Sequence, residues 1–147
     1  MKIIERVIWP EDTGESATVK RRRGQPIDEI EHPSVGGHHF YAMSVYYYAL
    51  DCMRQFGPDD FEFWPNPSLA ELEAAALNFC SMNWPILKQS AQGANQHPYT
   101  LDTQLADRCF EVLYIITLLE KGFGFDREDR SITYALEVRN PYLTIAK

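Results

Sequence analysis

Leu101, Leu105, Cys109, Val112, Ile116 and Leu119 follow one another at spacings of four, four, three, four and three. That rhythm lines one face of an α-helix with apolar side chains and is incompatible with the two-residue period of a strand. No other feature of the chain constrains its fold as strongly. Val112–Leu119 is almost wholly apolar, so the second half of this helix should be deeply buried. Thr100 suits its N-cap, Asp102 suits the positive end of its dipole, and Gly122 should end it.

Two further helices are expected before it. The first should run from about His38 to Phe56 and stop at Gly57-Pro58, since proline cannot continue a helix and glycine accepts a left-handed cap. Its apolar positions form two rows, Met43–Tyr46–Leu50–Met53 and Tyr41–Val45–Cys52–Phe56, leaving a narrow polar stripe of Ser44, Asp51 and Gln55 with Tyr48 between them. A helix apolar over so much of its circumference is central in a fold or covered by a partner. Ser68 followed three residues later by Glu71 is a capping box and should open the second helix. Leu72, Ala75, Phe79 and Met82 share its inner face, and Ala74, Ala75 and Ala76 should let a neighbour approach closely. Pro85 ends or kinks it, with Ile86–Ser90 as a short continuation.

The flanks carry β signals. Ile3–Trp9 is rich in β-branched residues, Pro10–Glu15 reads as a turn, and Ser16–Arg22 is either a return strand or an arm. Near the other end Ile132, Tyr134, Leu136 and Val138 alternate with Thr133, Ala135, Glu137 and Arg139, which favours a strand over a short helix. The fold class expected is therefore mainly α (α+β): a compact bundle of three long helices with a small antiparallel β element from the N- and C-terminal segments. One domain over 1–147 is expected, comprising a hairpin or arm with its connector (1–37), the three-helix core (38–121) and a β-rich or mixed tail (122–147).

Charge is unevenly spread. The net charge of −7 divides into −1 over residues 1–37 and −6 over residues 38–147, so the helical body should repel nucleic acid and anionic membrane and attract a basic partner. The three cysteines are far apart and form no CxxC pair, which favours free core thiols in a reducing compartment over a disulfide scaffold. Met1–Arg6 mixes acid and base where a signal peptide needs an apolar run, and no window holds the roughly 20 apolar residues of a membrane span. A cytoplasmic protein without membrane association is the expectation.

The chemistry-bearing motifs are mostly absent. The sequence has no Gly-rich phosphate loop ending in Lys-Ser/Thr, no dinucleotide fingerprint, no HExxH and no GxSxG. Gly122-Phe123-Gly124 ends a helix where a nucleotide loop would open one. His38 and His39 are helix neighbours about 100° apart, so they chelate one metal poorly together. Joined by His32 and a distant acid they remain the basis of an alternative, a small metal-dependent enzyme; ordinary surface histidines account for them better. Asp107 and Glu111 share a helix face, but Arg108 between them suggests that the face is exposed.

Three segments stand out as binding candidates. Tyr46, Tyr47 and Tyr48 cover most of a helix circumference, so at least one, Tyr48, should reach solvent or a partner; Tyr41 lies on the same helix, and such rings concentrate at binding hot spots. Asp59, Asp60, Phe61, Glu62, Phe63 and Trp64 alternate acids with aromatics, suiting either rings folded onto the core or an exposed docking segment. Lys20, Arg21, Arg22 and Arg23 have the composition of a phosphate-binding patch, though a solvated arm explains four bases in an acidic chain at least as well. Together these point to a non-enzymatic interaction module: an inhibitor, adaptor or assembly factor, such as a mobile-element or phage accessory protein that blocks a basic partner's nucleic-acid site. Tyr41, Tyr48 and Asp59–Trp64 would form the contact, with nucleic-acid binding through Lys20–Arg23 as the alternative. A homodimer completing the burial of the first helix is a further expectation. No cofactor and no metal are expected.

Overall fold

The structure, a computed structural model, describes Val35 and residues 37–137. The expected N-terminal hairpin and the basic run Lys20–Arg23 lie outside the described residues, as does His32. Among the described residues the order is β1 (Phe40–Ala42), α1 (Val45–Phe56), α2 (Leu69–Cys80), α3 (Trp84–Ser90), α4 (Arg108–Thr117) and β2 (Ile132–Tyr134). A π-helical turn, Leu118–Gly122, extends α4, and single 3-10 turns occupy Gly93–Asn95 and Leu105–Asp107. The fold is mainly helical, as expected, but its details differ.

β1 takes what should have been the first turn of the first helix. Phe40 and Ala42 turn toward the core while Tyr41 is exposed, a period of two. Ser44, with a φ of 58°, then breaks the chain direction, and α1 starts only at Val45. β2 forms at the start of the alternating stretch but covers only Ile132–Tyr134, with Ile132 and Tyr134 buried and Thr133 between them less so; Leu136 is exposed and outside the strand, and Val138 and Arg139 lie outside the described residues. The two strands pair in parallel, Phe40 with Ile132 and Ala42 with Tyr134, so the antiparallel expectation is corrected. Alternation marks a strand but not its direction, which is set by the crossover, and here residues 43–131 with all four helices form that crossover.

The long third helix is also corrected. Thr100 is buried and spends its hydroxyl on His97 and Arg108, while the Leu101 N–H is met by Gln104. The turn at 101–104 therefore precedes the helix, and Leu101 is exposed; Leu105, Val112, Ile116 and Leu119 are buried as the periodicity predicts. The capping box forms as expected: Ser68 N–H donates to Glu71 Oε2 at 2.9 Å and Glu71 N–H to Ser68 Oγ at 3.3 Å. Pro85 sits in the first turn of α3, where its missing N–H costs nothing, so four helices stand where three were expected. Gly57 is extended (φ −72°), not left-handed. Its glycine is demanded instead by space, because a Cβ would lie 2.6 Å from the Met53 carbonyl oxygen.

The core is built by Leu50 and Met53 of α1, Leu72, Ala76 and Phe79 of α2, and Val112, Ile115 and Ile116 of α4, closed at one end by Ile132 and Tyr134. Ala75 and Ala76 are buried in the small-residue stretch of α2, as close helix approach requires. Cys80 and Cys109 form a disulfide that staples the end of α2 to α4, with a Cα–Cα distance of 5.3 Å. This corrects the reading of three free thiols: two helix faces brought into contact placed cysteines 29 positions apart side by side. Cys52 remains free and buried. Among the described residues no helix is long and apolar enough to cross a membrane.

Candidate functional site

The first half of α1 presents Tyr46, Tyr47 and Tyr48, all half-buried. A cluster of rings forms on this side. Tyr48 stacks on Tyr99 with centroids 4.8 Å apart and planes 19° from parallel, and Tyr47 stands edge-on to Tyr99 at 6.2 Å. Trp64 lies 5.9 Å from Tyr47 and is stacked on Tyr134 behind it. The Arg54 guanidinium covers the Trp64 ring at 5.0 Å, an arrangement that combines cation–π attraction with a partly solvated charge. Three consecutive tyrosines cannot all be interior, and here Tyr47 and Tyr48 join Tyr99 in a half-exposed aromatic face.

Beneath that face lies a buried polar set. Asp51, one turn after Tyr47, accepts from Arg54 at 2.7 Å and approaches His97 Nε2 at 3.3 Å. His97 Nδ1 meets Thr100 Oγ1 at 2.9 Å and the Tyr99 N–H at 3.3 Å. Arg108 donates to Thr100 Oγ1 at 3.0 Å, to the Tyr99 carbonyl at 2.7 Å, and to Glu111. Burial pushes the Asp51 carboxyl up, but the hydrogen bonds from His97 and Arg54 outweigh it and hold the group below the ordinary carboxylate range. Burial pushes the Cys52 thiol up, leaving it a poor nucleophile. The Tyr47 phenol is raised by burial and then by the Asp51 charge.

Sequence reasoning placed these residues elsewhere. Asp51 was expected in the narrow polar stripe of the first helix and Arg108 on an exposed face; both are buried, as is His97. A signal existed for Arg108, which stands three residues after Leu105 and four before Val112, on the apolar face itself. For His97 no local pattern tells burial from exposure.

The Asp59–Trp64 link divides its residues. Phe61 and Trp64 pack against the core, and Asp60, Glu62 and Phe63 face outward. Asp59 accepts from Asn78 at 3.0 Å. Phe63 lies under the Arg130 guanidinium at 3.9 Å, and Arg130 also pairs with Glu71. That pairing first, aided by the Ser68 amide, outweighs the opposing effect of burial and holds the Glu71 carboxyl at about 2. Residues 59–63 of the link, with Pro67, Glu71, Ala74 and Ala75, line a groove of about 260 Å³. Tyr41 is exposed and edge-on to His39, away from this groove's lining. The structure thus separates Tyr48, in the aromatic cluster, from the groove, while Trp64 belongs to the cluster. His38 and His39 are exposed, with His39 bonded to Thr133 at 2.7 Å, and among the described residues no three His, Cys, Asp or Glu are grouped to hold a metal ion.

Residues 26–144 match the GDA1/CD39 (nucleoside phosphatase) family. The chain is 34% identical over 95 residues to ectonucleoside triphosphate diphosphohydrolase 2 of Homo sapiens, covering 64% of this chain and 16% of that protein. It is 33% identical over 99 residues to ectonucleoside triphosphate diphosphohydrolase 8 of Bos taurus, covering 67% and 17%. It is 28% identical over 86 residues to ectonucleoside triphosphate diphosphohydrolase 1 of Rattus norvegicus, covering 58% and 15%. The chain therefore spans about a sixth of the length of these relatives. The expectation of a non-enzymatic inhibitor or phage accessory protein is overturned by this match, as are its nucleic-acid-binding and His-based metalloenzyme alternatives. Residues 26–144 match the family without a Gly-rich phosphate loop, a dinucleotide fingerprint, HExxH or GxSxG, so the absence of these motifs did not exclude phosphate chemistry. With 26–144 matched out of 147 residues, the chain belongs to the GDA1/CD39 nucleoside phosphatase family.

Proposed function

We propose that the protein hydrolyses nucleoside phosphates and that this chain supplies the face that contacts the nucleobase, built from Tyr47, Tyr48 and Tyr99. The observation that carries the reading is the family match, which spans every residue of the aromatic cluster. A nucleobase offers a flat π surface, and half-buried tyrosines bind such surfaces by stacking with little loss of side-chain freedom. Arg54 supplies positive charge at the edge of the cluster. The acids Asp60 and Glu62, which would repel a polyphosphate, lie along the link, so the phosphates are expected to point away from it.

Steady-state phosphate release from a nucleoside triphosphate tests the base contact. Stacking worth roughly 1–3 kcal/mol per base implies that Tyr48→Ala raises KM about tenfold without a matching fall in kcat. An unchanged KM would remove Tyr48 from the site. We also propose that the protein works in an oxidising compartment, a reading supported by the Cys80–Cys109 bond.

A further inference from the structure

We propose that Arg108 is a positioning residue for the base-contacting face, clamping the Tyr99 peptide so that the Tyr99 ring is fixed against Tyr48 before a ligand arrives. The inference rests on the reading of the aromatic face given above. Tyr99 sits in a short loop between His97 and Thr100, and both polar groups of its own backbone are held by side chains. Its carbonyl accepts from Arg108 Nη2 at 2.7 Å, and its N–H donates to His97 Nδ1 at 3.3 Å.

The proton bookkeeping of the clamp is closed. A backbone N–H only donates, so Nδ1 of His97 is an acceptor, and the ring proton is assigned to Nε2, which donates to Asp51. The Thr100 hydroxyl accepts from Arg108 Nε and is left to donate to Nδ1. Arg108 in turn spends its remaining edge on Glu111. A rigid three-point fork is what guanidinium offers and ammonium does not. Burying a cation is costly unless it is paired and fully hydrogen-bonded, and Arg108 is 3% exposed. A shorter apolar residue would fill its place on this face as Leu105 and Val112 do theirs. What the arginine adds is a hold on the Tyr99 backbone, and a platform ordered in advance spares the ligand the cost of ordering it.

The test compares a nucleoside triphosphate with inorganic triphosphate, which carries the phosphates and no base, in the whole protein. KM and kcat are measured for the nucleotide and a competitive inhibition constant for inorganic triphosphate. Arg108→Lys should raise the nucleotide KM about tenfold, in line with the loss of one stacking contact, and leave the inhibition constant of inorganic triphosphate within about twofold. Tyr99→Ala should do the same, and the double variant should be no worse than Tyr99→Ala alone. Thr100→Val, which removes the shared hydroxyl without stranding a charge, should shift the nucleotide KM in the same direction, so the test stands if Arg108→Lys fails to fold. If Tyr99→Ala discriminates between the two ligands but Arg108→Lys and Thr100→Val do not, or weaken both alike, the clamp is overturned. If Tyr99→Ala itself does not discriminate, the base-contact reading fails and the clamp with it.

Discussion

Tyr134 is the last residue of β2, and its hydroxyl is buried without a hydrogen-bond partner among the described residues. Burial, then the neighbouring Tyr46, pushes this phenol far above its ordinary range. An unsatisfied buried hydroxyl costs about 1–3 kcal/mol, whereas the ring itself is useful, stacked on Trp64 at 6.2 Å. Tyr134→Phe should therefore raise stability by about 1 kcal/mol in denaturant unfolding, and a loss of stability would show that the hydroxyl is in fact satisfied. At this scale the sequence was a partial guide. Tyr48 could be picked out because three adjacent tyrosines exceed one buried face. Asp51 and His97 could not, because each is buried by a partner distant in sequence, 46 positions from one to the other.

Among the elements, α2 is the most fully legible, because both of its determinants are local: a capping box at one end and an apolar row along its face. Glu71 serves that cap and also ties α2 to Arg130. Its carboxyl is depressed from 4.5 to about 2, so its contribution to stability is present above about pH 4.5 and is lost as pH falls toward 2. Urea midpoints should fall over that window, and Glu71→Gln should flatten part of the fall; an unaltered pH profile in Glu71→Gln would exclude the pairing. The staple between α2 and α4 was not legible, since 29 residues separate Cys80 from Cys109 and only the packing of two helices brings them together. Closing a loop of that length should stabilise the fold by about 3–4 kcal/mol. Replacing both cysteines with Ala should remove that amount, and thiol titration of the unfolded native protein should find Cys52 alone free. Three free thiols would contradict the bond.

For the whole molecule, the mainly helical class followed from hydrophobic period, but connectivity did not. The strands at 40–42 and 132–134 are parallel because the helical crossover delivers the chain back in the same direction, a property no local pattern encodes. The acidic charge led to the wrong function for a related reason. A net charge describes an average over the surface, whereas the aromatic cluster with Arg54 at its edge is a local arrangement assembled from α1, the Trp64 link and the Tyr99 loop. The role proposed for this cluster is in an enzyme acting on nucleoside phosphates. Phosphate release from a nucleoside triphosphate by the wild-type protein tests it most directly. Release in proportion to enzyme concentration over many turnovers is the expected result, and an absence of release would overturn that role.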